Sequence, residues 1–341
     1  MQIILYLCSL FCVFMHNTFG NKFSFTSFGE SHSAAIGGVL DGVPAGIEIN
    51  LEMIREELSR RAGRAERRKG GEAERMLGTS PRAKREQDEV EWLSGVFEGK
   101  TLGTPIAFLI RNTDARPEDY EVFRHSFRTG HADRVYQLKY GFRDHRGGGR
   151  ASARETAGRV VAGAIAKQLL ALRGIHIHAK VVQIGRATDP ALFNDEIQRA
   201  AAAGDSVGGI IECTVTGLPV GIGEPIFDKL QSHLAYAMMS INGCKGFDYG
   251  SGFEGADKWG SEVNSVSGGI SGGISDGTPL TFRCVFRPTP TTRRMGGEVE
   301  RQIGGEVKMR TDVCFVPRAV AIVEAMAALV LKDRCAERPL R

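Results

Sequence analysis

The chain reads as an α+β protein of two related β-plus-helix halves around one core, and three observations carry that reading. Glycine is abundant, 43 of 341 residues, and mostly punctuates short β segments. Three longer stretches space their apolar residues at helical steps. A Gly-Thr-Pro turn leading into an apolar strand occurs twice, in Gly103–Thr113 (GTPIAFLIRNT) and Gly277–Thr289 (GTPLTFRCVFRPT). Both copies reach an Arg and a Thr as the chain leaves the sheet, which predicts internal repetition.

In chain order, Phe23–Phe28 alternates as a strand does, and Ile36–Gly46 has turn chemistry around DGVPAG before a strand expected at Ile47–Leu51. Leu51–Arg61 predicts a helix that runs into a basic, glycine-bearing stretch to Gly78 with no apolar face. A strand at Thr104–Arg111 precedes a long polar loop. A helix over 152–172 follows from Ala157, Val160, Val161, Ala164, Ile165, Leu169 and Leu172, with Ser152 and Glu155 spaced as a capping box. Strands are predicted at Ile175–Ile184 and Ile210–Val215. A second amphipathic helix, Phe227–Ile241, places Phe227, Leu230, Leu234, Met238 and Ile241 on one face, and a third helix spans Pro317–Lys332. Each half is expected to pair its Gly-Thr-Pro strand with a long helix, at 152–172 and 227–241.

Length and composition suit an enzyme with a large core, as one big domain or two ordinary ones. The net charge of +4 is too mild for a nucleic-acid binder, and the basic loops lack the interleaved aromatics that stack bases. Residues 1–14, MQIILYLCSLFCVF, are apolar but lack a basic start and a small-x-small cleavage site, and they are too short to span a bilayer. They are read as an extension before a native start at Met15, with a single catalytic domain over 15–341, cytoplasmic and with no membrane partner. The seven cysteines show no metal-ligand spacing and are read as reduced thiols, Cys213 and Cys284 inside strands.

The densest chemistry lies in Tyr140–Thr156, YGFRDHRGGGRASARET. Arg143, Arg146, Arg150 and Arg154 surround three glycines at a helix start, where the macrodipole disfavours cations. An anionic ligand among them would explain the arrangement, since glycines let backbone N–H groups approach it. His32, in Phe28–His32 (FGESH), and His131, in Thr129–Asp133 (TGHAD), are flanked by small residues and so suit proton transfer. There is no phosphate loop, dinucleotide fingerprint, zincin motif, nucleophile elbow or acidic metal cluster.

These motifs resemble the chorismate synthase family. The resemblance runs from about Asn17 to Lys332 and includes TSFGESH, DGVPAGIEI, GHAD, the arginine-glycine run, GEPIFDKL, MMSINGCKG, GGISGGISDG and VPRAVAIVEAMAALVL. It implies a β-α-β sandwich with helices inside, sheets outside and pseudo-twofold repetition, assembled as a homotetramer. It also implies conversion of 5-enolpyruvylshikimate 3-phosphate to chorismate and phosphate by trans-1,4-elimination, with reduced FMN (FMNH2) and NADPH as a possible external reductant. By motif, His32 is the expected acid at the leaving phosphate, His131 the histidine beside the flavin, and Asp312 the aspartate that assists proton removal. Arg61 matches an arginine of the substrate and nucleotide pocket. Flavin contacts are expected from Arg150, Ala151 and Ser152, from Asn242 and Gly243, from Gly272, from Arg287, Pro288, Thr289, Pro290 and Thr291, and from Arg310.

This chain departs from the family pattern at the site. Ser33 stands for Gly, His145 for Tyr, Ala151 for Ser and Arg287 for Lys. Met309–Cys314, MRTDVC, lacks the family's His and Pro, so Thr311 precedes the aspartate. The segment after Glu262 is short, and the loop after Arg61 is long, which leaves Arg64, Arg67 and Arg68 competing for the second pocket arginine. Alternatives are therefore a weakened or inactive relative that binds FMN or anions, and a flavin reductase using NADPH.

Overall fold

The computed structural model describes residues 17–63, 67–69, 72–74, 88–263, 267–292 and 312–335. Two antiparallel sheets enclose a helical layer. The first sheet is built from β1 (Ser24–Phe28), β2 (Ala35–Asp41), β3 (Glu91–Ser94) and β4 (Ile106–Arg111), in the order β1-β2-β4-β3. Thr18–Phe19 adds a short edge strand beside β1. The second is built from β5 (His176–Ile184), β6 (Gly209–Thr216), β7 (Cys244–Tyr249) and β8 (Leu280–Phe286), in the order β5-β6-β8-β7. Among the described residues, the α-helices of eight residues or more are α1 (Leu51–Ala62), α2 (Asp133–Tyr140), α3 (Thr156–Ala171), α4 (Phe193–Ala202), α5 (Leu230–Met239) and α6 (Val316–Cys335).

The repeat is complete at the level of topology. One half runs β1–β2–α1–β3–β4–α3 and the other β5–β6–α5–β7–β8–α6, with α2 and α4 inserted. Both hairpins, both central pairings and both edge pairings are antiparallel, and each edge strand carries a register shift against its neighbour. The two Gly-Thr-Pro strands become β4 and β8, equivalent in position. The helix pairing differs from the expectation: α3 corresponds to α6, and α5 corresponds to α1. Sequence similarity reached only the strand-turn units, so it could not match the helices.

Helix α6 is buried on every side and mostly apolar, as a helix enclosed by both layers must be, with its few charged residues paired inside. It packs on α1, α3 and α5 and against β5 and β6, while α3 covers β1, β2 and β4. Where α3 crosses α6, a Cβ at Gly163 would stand 2.3 Å from that of Ala325, so only glycine permits this approach. Glu324 of α6 is 1 % exposed and accepts from both terminal nitrogens of Arg60, from Lys167 Nζ at 2.6 Å and from the Ala179 N–H at 2.8 Å. Glu57 completes the network through Arg60 and Lys167. Burial alone would raise the Glu324 carboxyl, but these cations overcome it and bring the pKa down to about 2.

Asn50 caps α1 by accepting from the Met53 N–H at 2.9 Å, and Gly63, at φ 72°, ends it. Residues 47–51 therefore form no strand; a single bridge from Glu48 to Lys100 is all that pairs there. Helix α5 starts later than its apolar spacing predicts, and Phe227 lies before it, 92 % exposed. Ser152 accepts from the Arg154 N–H and opens a 3-10 turn before α3. Glu155 turns to Arg159 and does not complete a capping box. Cys213 and Cys284 are free thiols buried in β6 and β8, as expected.

Candidate active site

The site lies where two equivalent connections meet. In each half, the fourth strand leaves the sheet and the chain returns as the long helix. The first connection, 112–155, carries His131 and the arginine-glycine run; the second, described at 287–292 and 312–315, carries Arg287–Thr291 and Asp312.

His32 sits on the β1–β2 turn. Its Nδ1 lies 3.0 Å from Ser31 Oγ, and its ring meets that of Tyr120 edge-on at 4.8 Å. Gly147 closes the other side: at φ 77°, a Cβ there would stand 2.4 Å from His32 Nδ1. Asn112 ties this turn to the exit of β4, donating from Nδ2 to Glu30 O at 3.0 Å and Ser33 O at 2.8 Å. Ser33 does not hinder the backbone; its hydroxyl lies 2.9 Å from Glu30 O and 2.8 Å from Ala35 O, and accepts from the Glu30 N–H. The turn is stapled by the residue that departs from the family pattern.

Arg128, which no motif singled out, links the two histidine segments. It pairs with both oxygens of Asp133, donates to Gly147 O at 3.0 Å and lies over the Tyr120 ring at 5.4 Å. It thus fixes the TGHAD turn, the glycine run and the aromatic wall of His32 together. The legible signal was an Arg and an Asp bracketing Gly130–His131, a spacing suited to a closed turn.

His131 Nε2 shares a 2.9 Å hydrogen bond with Thr291 Oγ1, which joins the two connections. Arg287 reinforces this by donating to Gly130 O, and its N–H binds Gly243 O. Burial, and then the charges of Arg128 and Arg287, push the His131 pKa down to about 4, so its imidazole is neutral near pH 7. Thr289 Oγ1 donates to Asp312 O, and the Asp312 carboxylate pairs with Arg318 of α6. Ser206 Oγ donates to Thr289 O, so Thr289 is held from both sides.

The four arginines of the glycine run do not converge on one point. Arg143 donates to the Phe123 and Ser126 carbonyls, and Arg150 to Ser27 and to Gly29 O at 3.0 Å. Arg146 pairs with Asp144, and buried Arg154 pairs with Asp88 and Asn112. Arg61 is also buried, on Asp88, Thr156 and Ala153 O. Arg143 and Arg150 meet neutral groups here, so their charges remain as positive potential around the glycines; Arg154 is a structural brace.

Asn242 donates to Ala151 O at 2.9 Å, which brings the two expected flavin-contacting motifs together. Its Oδ1 is buried without a hydrogen-bond partner, and the space a Cβ would take at Gly243 is open. An orphaned buried acceptor beside open backbone suits a bound molecule with an N–H donor, such as a flavin ring. Gly272 is placed apart: its hairpin meets Lys229 and Leu230 at the start of α5, while Asn242 follows the helix's other end. Arg310, Thr311 and Arg64 lie outside the described residues, and Arg67 and Arg68 belong to a short strand paired with 72–74. Among the described residues, no group of three or more His, Cys, Asp or Glu side chains could hold a metal ion.

Comparison with known proteins agrees with this architecture. The chorismate synthase family profile matches residues 23–336. Chorismate synthase of Christiangramia forsetii is 44 % identical over 93 % of this chain and 96 % of its own, and that of Azobacteroides pseudotrichonymphae is 45 % identical over 93 % and 98 %. A crystal structure of a chorismate synthase aligns with a TM-score of 0.69 at 29 % identity, covering 94 % of this chain and 93 % of the other. The fold and site thus define an α+β sandwich enzyme of the chorismate synthase type. The chain belongs to the chorismate synthase family.

Proposed function

We propose that the protein converts 5-enolpyruvylshikimate 3-phosphate to chorismate and phosphate by trans-1,4-elimination, using reduced FMN. The observation that supports this most is the meeting of the two connections through His131 and Thr291, with His32 lodged against Gly147. His32 on the β1–β2 turn, His131 on the first connection and Asp312 on the second are thus supplied by three separate segments.

In this reading His32, braced by Ser31 and Tyr120, gives a proton to the departing phosphate, an effect typically worth about 10²- to 10⁴-fold in rate. The glycine run with Arg143 and Arg150 supplies backbone donors and positive potential for the substrate's phosphate and carboxylates, while Arg61 borders the same region. Asn242, Gly243 and Arg287–Thr291 would hold FMN, which in its reduced form would lend an electron as the C–O bond breaks and regain that electron alone once the ring proton has left. Neutral His131 has one N–H to offer and takes up a proton when an anion comes beside it. Asp312 receives the proton that leaves the ring.

NADPH is proposed only as an external source of reducing equivalents. Assembly as a homotetramer in the cytoplasm is proposed as well, and exposed Phe227, Phe253 and Trp259 fit a surface that other copies cover. Among the described residues, no helix is long and apolar enough to cross a membrane. One observation favours a second reading, a weakened relative that binds flavin: Ala151 offers Asn242 a carbonyl and no hydroxyl.

The deciding experiment is anaerobic turnover with chemically reduced FMN and the substrate, following phosphate and chorismate together. Folded, flavin-binding protein that forms neither would reject the lyase and leave the second reading.

A further inference from the structure

We propose that Arg318 is a positioning residue for the reaction: from the first turn of α6 it holds the Asp312 carboxylate in the orientation in which it accepts a proton. The inference rests on the proposed role of Asp312. Three observations carry it. The Arg318 guanidinium pairs with Asp312 Oδ2. Its stem is buried, and the charged end lies over the Phe315 ring at 5.1 Å, which in turn meets Phe286 of β8 edge-on at 6.2 Å. The Asp312 backbone is clamped independently, since its carbonyl accepts from Thr289 Oγ1 and the next carbonyl, Val313 O, accepts from the Val207 N–H at 2.9 Å. The main chain is therefore fixed by the second sheet, and the only ion pair of the Asp312 carboxylate among the described residues comes from the helix.

Arg318 is an unusual residue for purely structural use. Its Nε is buried without a hydrogen-bond partner, and burial followed by the nearby charge of Arg61 pushes its pKa down to about 9. A cation held at such cost is explained when the anion opposite it has a task. Helix α6 is enclosed on all sides, so its first turn is a rigid mount for a group that must aim a carboxylate.

The test is a double-mutant cycle with Arg318→Met, Arg318→Lys and Asp312→Asn, each read for kcat, KM, FMN affinity and thermal midpoint. Arg318→Met is expected to lower kcat about 100-fold while KM stays within about threefold. Arg318→Lys, which keeps the charge but loses the planar fork, should fall between it and wild type. In the Asp312→Asn background either change should cost no more than about twofold, because the group it acts through is already gone. If Arg318→Met does not fold, the Arg318→Lys cycle gives the same reading. Multiplying losses, or a raised KM at unchanged kcat, would overturn the inference while the lyase reading stands. Wild-type protein without turnover would overturn both.

Discussion

The connection from β4 to α3 and the connection from β8 to α6 hold the same place in their two halves but carry different chemistry. The first supplies arginines, glycines and His131, and it borders the turn that carries His32. The second supplies hydroxyls and Asp312, and it docks on the first through Thr291 and Arg287. A repeated backbone therefore sets two loops against each other without making them alike. Repetition provides the meeting point, and divergence provides the proposed division of labour between His32, beside the first connection, and Asp312, on the second.

Removing a group from either side tests that division. His32→Ala should give the largest effect, a loss of about 10²- to 10⁴-fold in kcat with FMN affinity nearly unchanged, measured anaerobically. Equal losses in rate and flavin binding would move His32 from proton donor to flavin contact.

The core beneath both connections should be nearly as sensitive. Glu324→Ala removes one of the two carboxylates that half-buried Arg60 and Lys167 share, with Glu57 left as the other, and should cost about 1.5–3 kcal/mol by urea unfolding. The same carboxylate sets an acid limit. Its pKa is about 2 in the folded protein against an ordinary 4.5, so its contribution is complete above pH 4.5 and is lost as pH falls toward 2. Unfolding midpoints across that range should decline in wild type and flatten in Glu324→Gln.

The bond that joins the connections should matter less. Thr291→Val removes the partner of His131, a change of about 1 kcal/mol, and should weaken FMN binding about fivefold by fluorescence titration. His131 sharpens the point from the other side: neutral near pH 7 in the free protein, it should take up a proton when anionic reduced flavin binds, readable as a shifted imidazole resonance. Unchanged titration on binding would place the flavin away from it. Smallest of all, Ser33→Gly should cost about 1 kcal/mol of stability with little change in rate, because the hydroxyl only staples the His32 turn.

The long helices and the central strands were legible because their apolar periods are strong: 106–111, 209–216 and 316–335 all fall within a few residues of expectation. The edge strands β3 and β7 were not, since EWLS and CKGFDY are short, mixed in polarity and pair on one side only. The short helix α2, with Val135 and Leu138 exposed, has no buried face to announce it.

Sequence alone determined the family, the two histidines, the motif around the glycine run and the existence of an internal repeat, because each is written in local order and spacing. Tertiary structure decided which helices correspond, that Arg154 and Arg61 are spent on Asp88, and that Arg128 and Arg318 hold the catalytic candidates. Those pairings join residues from separate turns and helices, and charge pairing across such distances leaves no period in the chain. A guanidinium's partner is chosen by packing, and packing is known only once both sheets have closed over α6.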